Sequence, residues 1–421
     1  MGSLPHNTLP LFSASDPAFL RSKVDRYYNQ RLHGQWLGKH PLKGLSPGRD
    51  AIRMRTNDYL CLSHHPAIIS AEVDALQSVG HGEAVSRVWL HHTRDVISVF
   101  EERVARLLKA ESAILCASGY AANVGLIQAM AGKGSRVFLD QKAHISMWEG
   151  VKSGGAEAVA FRHNDPDHLR RLLRDHGPGL VAVDALYSTD GELCPVLEIL
   201  DVVEEFGAAL VLDETHSIGA QGPAGAGLAV SMGLSHRVHF RTFGLSKAVA
   251  ARGGMIACSS RNAEFLRYES LPAIFSTSVL PHEVAGFNAV LDVFAGEPWR
   301  RAKLTENHRY LRDGLDQLGY NVDASKAQIL ALEAGDIVET MSLRDSLESR
   351  GIFGAIFFPP ATPDKRCLIR FTVNCGLTRD EMDRAISVCA EIRDEVGMET
   401  WRSTRRKAKT KTKLCPLSDA A

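Results

Sequence analysis

The chain of 421 residues has no excess of charge of either sign: 49 Lys and Arg balance 49 Asp and Glu. Without a basic or acidic surplus there is no electrostatic reason to expect nucleic acid or a membrane surface as a partner. No run of about 18 apolar residues occurs, so no transmembrane helix is expected. The opening MGSLPHNTLPLF lacks the basic-then-apolar order of a secretory signal. His6 stands where a myristoylation motif needs Ser or Thr. The eight cysteines (Cys61, Cys116, Cys194, Cys258, Cys367, Cys375, Cys389 and Cys415) include no C-x-x-C pair. That argues for reduced thiols in a cytoplasmic protein and against disulfides or a zinc site. The pairs His64-His65 and His91-His92 have no carboxylate or cysteine set beside them, so no metal is expected. Gly222–Gly227 is glycine-rich, but its spacing is not G-x-G-x-x-G and it opens no βαβ unit. A flexible loop is expected there.

What is present is the composition of an ordinary globular protein, 45% hydrophobic and 23% charged. At this length a large core and two or three domains of roughly 150 residues are expected. Residues 1–50 are mixed, with a helical stretch over Arg21 to Leu37 and a Gly/Pro turn region near 42–50, and they read as an arm or small-domain element. From about residue 51 short apolar runs alternate with helical stretches. The strand candidates are 113–116, 136–139, 180–183, 209–212, 238–241 and 254–258. The helix candidates between and before them are 96–109, 121–130, 167–175 and 197–206. Such alternation predicts an α/β domain with a mainly parallel sheet over residues 51–290. Ligands of such sheets bind at the carboxyl ends of the strands. A long helix over 282–318, strands near 328–332 and 367–373, and a closing helix over 379–396 predict a smaller α+β C-terminal domain, residues 291–400. Residues 401–421 form a basic tail, expected to be solvated and disordered.

Four stretches carry residues able to do chemistry. In Leu210-Val211-Leu212-Asp213-Glu214-Thr215-His216-Ser217 an apolar strand ends in an acid, and a histidine follows three residues later. A carboxylate there could keep a pyridinium nitrogen protonated, and the histidine could hydrogen-bond a phenolic oxygen. A strand-terminal Asp that merely caps the next turn is the plainer alternative. Lys247, in Phe240 to Lys247, lies in a small-residue loop after another strand; a Schiff-base role needs its pKa depressed. A surface lysine is far commoner, and it is the company of Asp213 and His216 that singles this one out. Ser118-Gly119-Tyr120 follows a strand and opens a helix, which suits a phosphate, though a plain strand–helix turn has the same sequence. His144, at the next strand end, could stack on a flat ring or be structural.

Together these stretches resemble the α-oxoamine synthases, a family of fold-type-I pyridoxal-phosphate (PLP) enzymes, from about Arg55 to about Cys389. Thr56-Asn57-Asp58-Tyr59-Leu60 resembles the family's S-N-D-Y-L, and Asp213 to Ser217 resembles its D-E-A-H-S. The closest resemblance within the family is to quorum-sensing autoinducer synthases that make α-hydroxyketone or α-aminoketone signals. It rests on His144 to Gly150, His176 to Gly179, Tyr187 to Thr189 and Pro272 to Ser276, and on Thr215 where most of the family has alanine.

The resemblance implies a homodimer with pyridoxal 5′-phosphate on Lys247 as a Schiff base. Asp213 would sit at the pyridine nitrogen, His216 near the ring oxygen and His144 on the ring face, with Ser188 at the ring's side. The backbone around Ser118, Gly119 and Tyr120 would hold the phosphate, and Thr277 would reach the phosphate of the neighbouring subunit. Asn57 and Arg370 would bind the amino-acid carboxylate. It further implies condensation of a medium-chain acyl-CoA with an amino acid, such as 2-aminobutyrate, or with S-adenosylmethionine. One position departs from the pattern: the family's hydroxyl residue three before the lysine is Gly244 here, with Thr242 or Ser246 as candidate replacements. The alternatives are another α-oxoamine synthase (8-amino-7-oxononanoate or 2-amino-3-ketobutyrate type), a PLP aminotransferase or decarboxylase, or a non-catalytic binding subunit.

Overall fold

The computed structural model describes residues 16–90 and 94–407. Seven short strands form the central sheet: Ser112–Cys116 (β1), Arg136–Asp140 (β2), Glu157–Phe161 (β3), Leu180–Asp184 (β4), Ala209–Asp213 (β5), Phe240–Gly244 (β6) and Gly254–Cys258 (β7). Their order in space is β1-β7-β6-β5-β4-β2-β3, and only β7 runs against the rest. Both faces of the sheet are covered. Val137, Leu139, Ala182 and Val211 pack into one apolar cluster, while their strand neighbours Phe138, Val181, Val183, Leu210 and Leu212 pack into another. This period-two division between two buried faces explains why the strands read as continuous apolar runs.

The exceptions have physical reasons. β3 escapes the sequence reading because it is an edge strand with Glu157 and Ala158 exposed. β6 begins two residues later than expected and runs on past Arg241, where the expected strand stops, through the polar Thr242 to Gly244. Arg241 is tolerated in the core because it pairs with the buried Glu214 and donates to the carbonyls of Leu108 and Ala226. Buried pairs of this kind are satisfied only when every remaining donor finds a partner. The same pair corrects the expected flexible loop at Gly222–Gly227. That segment is a tight turn, with Gly225 and Ala226 buried and the Ala229 N–H bonded to Glu214 Oε1 at 2.9 Å.

The long helix expected over 282–318 is two helices, Pro281–Gly296 and Trp299–Gln317. Pro298 divides them, because its ring cannot continue a helix but suits the start of the next. Beyond it, the strands Ile329–Gly335, Cys367–Thr372 and Ala355–Phe357 form a small antiparallel sheet, with the 367–372 strand central. Ile52–Arg53 pairs parallel with Ile352–Phe353, which ties the N-terminal chain to this unit. The preceding arm packs there too: Trp36 is buried edge-on to Phe358, and the Leu45 N–H donates to Glu348. Its helical stretch is an α-helix, Ala18–Arg26, running into a π-helical segment, Tyr27–Gln35.

The expected solvated tail is not solvated at its start. Trp401 is buried, and Lys407 Nζ donates to the carbonyls of Asp316 and Tyr320. A lysine stem can lie in apolar surroundings when carbonyls meet its ammonium. The rest of the tail, with Cys415, lies outside the described residues, as do His91 and His92; the other seven cysteines are free thiols. No helix of the described residues is long and apolar enough to cross a membrane.

Candidate active site

The carboxyl ends of β2, β4, β5 and β6 converge on one cavity of about 810 Å³. It brings together Asn57, Ser118, Gly119, Tyr120, His144, Ser188, Asp213, His216, Ser246, Lys247 and Arg370. Two expected residues are elsewhere. Thr242, a candidate replacement for the missing hydroxyl, is fully buried, and its hydroxyl donates to Asn123 Oδ1 at 2.6 Å. Its place on β6 turns it toward the helix Gly119–Met130 instead of the cavity. Thr277 lies outside the cavity, exposed on a half-buried segment bridged to Ser86.

Asp213 ends β5 and is buried. Its Oδ2 accepts from Asn123 Nδ2 at 2.7 Å and its Oδ1 from the Thr215 N–H at 2.8 Å. Asn123 was not foreseen. The signal was present, however: it is one of two amides, with Gln128, in a mostly apolar helix opening at Gly119, and it lies one turn in, so it faces the same way as the helix start. Asp184, ending β4 after its own apolar run, was passed over as well. Burial first, then the neighbouring Asp213, push its carboxyl well above the usual range, and it accepts from the His144 N–H at 2.9 Å.

His144 caps the helix Ile145–Gly154, and its Nδ1 pairs with Ser146 Oγ at 2.7 Å. One ring edge is thereby fixed while the side chain stands open to the cavity. His216 is buried, and burial first, then the charges of Lys247 and Arg370, hold its pKa well below the ordinary value. Lys247 follows β6 in a tight loop closed by Leu245 N–H to Gly253 O at 3.0 Å and Ala250 N–H to Lys247 O at 2.9 Å. Burial lowers its pKa, Arg370 lowers it further, and Asp213 opposes both. A half-buried amine with a depressed pKa is the nucleophile a carbonyl requires.

Arg370 reaches the cavity from the central strand of the small sheet. It donates through Nη1 to the Ser188 carbonyl at 2.8 Å and through Nη2 to Asn57 Oδ1 at 2.9 Å, and it lies over the Phe357 ring at 4.5 Å. Its Nε has no hydrogen-bond partner among the described residues. A buried guanidinium with a donor to spare suits a carboxylate.

The residues fit pyridoxal 5′-phosphate at each end of the molecule. Gly119 opens a 12-residue helix directly over β6: a Cβ there would come within 2.6 Å of Gly244 Cα, and one at Gly254 within 2.3 Å of the Ser118 backbone. Only glycine permits this contact, which brings the orphan N–H groups of the helix start to the cavity floor. Beside them, Thr215 Oγ1 accepts the Gly244 N–H at 2.9 Å. Its own proton remains to be donated, so Thr215 offers a hydroxyl beside Gly244, where the sequence pattern lacks one. Ser246, the other candidate, also lines the cavity.

The aminotransferase class I and II model matches residues 49–388. The chain is 36% identical to the CAI-1 autoinducer synthase of Vibrio campbellii, over 91% of this chain and 97% of that protein. It is 32% identical to the 8-amino-7-oxononanoate synthase of Geotalea daltonii, over 86% and 93%. Among solved structures, the serine palmitoyltransferase of Sphingomonas wittichii superimposes with a TM-score of 0.83 at 29% identity, over 90% of this chain and 99% of that one. The S. paucimobilis enzyme with bound PLP–myriocin aldimine gives the same TM-score at 28% identity, over 90% and 99%. The chain belongs to the aminotransferase class I and II family and, within it, to the α-oxoamine synthases: it is a PLP-dependent acyltransferase.

Proposed function

We propose that the enzyme condenses a medium-chain acyl-CoA with an α-amino acid, or with S-adenosylmethionine, to give an α-aminoketone precursor of a diffusible signal. The observation that carries this reading is that Lys247 and Arg370 open on one cavity with Asp213 at its base. The name of the Vibrio relative supports the signal-forming branch.

Bound through Lys247 as a Schiff base, pyridoxal 5′-phosphate supplies the electron sink that makes an α-carbanion accessible. Every other role falls to the chain. Arg370, with two of its five N–H groups used by Ser188 and Asn57, keeps donors for the amino-acid carboxylate. Asn57 orients that guanidinium. His144 would cover the ring face, and Asp213 would stand at the pyridine nitrogen. Lys247 Nζ, whose pKa is lowered by burial and Arg370, would take the α-proton of the bound donor. The donor's α-carbon would form a bond to the thioester carbonyl carbon as the carbon–sulfur bond breaks, and CoA would leave as the thiol with the proton that Lys247 took up. Where the donor keeps its carboxylate, the product is a β-keto acid, which loses CO₂ readily.

A homodimer belongs to this reading. Trp89 and Phe275, 76% and 82% exposed, flank the segment that carries Thr277. Large aromatics left in water on one patch suit a protein partner, and a second copy would bring Thr277 to the neighbouring phosphate.

Incubation with acyl-CoA thioesters and candidate donors should release free CoA thiol only when both are present. No release with any acyl chain would refute the reaction. A second expectation follows from Thr215. Thr215→Ala should weaken PLP binding about tenfold, the loss of one hydrogen bond to a charged group, as read by titrating the visible absorbance of the protein. An unchanged dissociation constant would remove Thr215 from the phosphate site.

A further inference from the structure

Tyr59 is fully buried beneath the cavity, and its hydroxyl is hydrogen-bonded to His216 Nδ1. Both residues are anchored from the small unit. The Cys375 N–H donates to the Tyr59 carbonyl at 2.9 Å, and Gln328 Nε2 donates to the His216 carbonyl at 2.6 Å. The phenol and the imidazole therefore meet in a fixed geometry.

A hydrogen bond between a phenol and an imidazole leaves the direction of the proton open. The surroundings settle it. Burial pushes the Tyr59 phenol up to about 12, so it keeps its proton. Burial and the nearby cations hold His216 neutral, so it carries one proton on one nitrogen. Among the described residues the hydrogen bond given to the phenol is the one to His216 Nδ1, and Gln328, whose Nε2 is engaged by the His216 carbonyl, lowers the phenol's pKa only against the larger effect of burial. The acceptor left for the phenol's proton is Nδ1.

We propose that Tyr59 is a positioning residue: it donates to His216 Nδ1 and so fixes the imidazole proton on Nε2, the nitrogen left to face the cofactor's ring oxygen. This rests on the reading of His216 as the ring-oxygen partner. In the opposite tautomer a lone pair would confront an electron-rich oxygen and repel it. A protonated Nε2 donates to that oxygen instead, and a hydrogen bond to a charged acceptor is among the stronger ones. Tyr59 thus couples the Asn57-Asp58-Tyr59 segment to the Asp213–His216 segment, 157 residues away.

The test is nitrogen NMR on the holoenzyme labelled with ¹⁵N-histidine, with the His216 signals assigned by their absence in His216→Gln. The wild type should show a pyridine-like Nδ1 and a pyrrole-like Nε2. Tyr59→Phe should lose this fixed pattern, and kcat should fall about tenfold while KM for the amino donor stays within about twofold. A protonated Nδ1 in the wild type would overturn the proposal without recourse to any variant. So would a Tyr59→Phe protein with wild-type nitrogen shifts and kcat. The thiol-release assay is independent: an enzyme that frees no CoA would refute the proposed reaction and leave the tautomer result standing.

Discussion

Lys247→Ala should lower turnover by about 10⁴-fold or more and abolish the visible absorbance of lysine-linked PLP. The size reflects the loss of two functions in one residue, the covalent tether and the α-proton base; base removal alone typically accounts for 10²–10⁴. The surroundings make the amine available, since burial and Arg370 both disfavour its charged form. The binding groups survive in the variant. The helix start at Gly119, Thr215, His144 and Asp213 do not depend on the lysine for their places, so PLP should still bind without a covalent link. Absorbance spectra with and without added PLP, alongside the rate of CoA release, check both halves. A variant that keeps the wild-type visible band would assign the Schiff base to another amine.

Asp213→Asn should reduce kcat by about 10²–10³-fold while retaining cofactor. Both carboxyl oxygens of Asp213 are acceptors, one for Asn123 Nδ2 and one for the Thr215 N–H. A carboxamide has a single acceptor oxygen, so its NH₂ would face one of those donors and that hydrogen bond would be lost. The remaining bond holds the side chain near its place, but the negative charge proposed to face the pyridine nitrogen is gone. Rate is therefore affected far more than binding. Steady-state kinetics together with a PLP titration would show this separation. Near-normal kcat would mean that Asp213 serves only to cap the turn at Thr215.

The parts of the fold and site legible in the sequence are those where one local rule decides. Strands buried on both faces read directly from their apolar runs, and an acid at the end of such a run marks Asp213. What stayed hidden depends on partners distant in sequence. Arg241 looks like the end of its strand, yet β6 runs on to Gly244 with Arg241 held in the core by Glu214, and the Gly222–Gly227 turn looks loose until the same pair is seen to pin it. The sequence offers Thr242 or Ser246 for the hydroxyl missing at Gly244, and nothing local points to Thr215. The alternation of β6 turns Thr242 away, while Thr215, just past β5, stands beside Gly244. Tyr59 was visible as part of a motif, but its partner His216 could be known only from the fold. The division of the 282–318 stretch, read as one long helix, had a local signal in Pro298 that the reading passed over.

Mass spectrometry of the product formed from a panel of acyl-CoA thioesters and amino donors tests the central claim most directly. A condensation on Lys247 predicts one new α-aminoketone whose mass combines the acyl group with the donor, appearing together with free CoA and absent in Lys247→Ala. Transfer of the amino group alone, or decarboxylation of the donor with the acyl-CoA left intact, would contradict it.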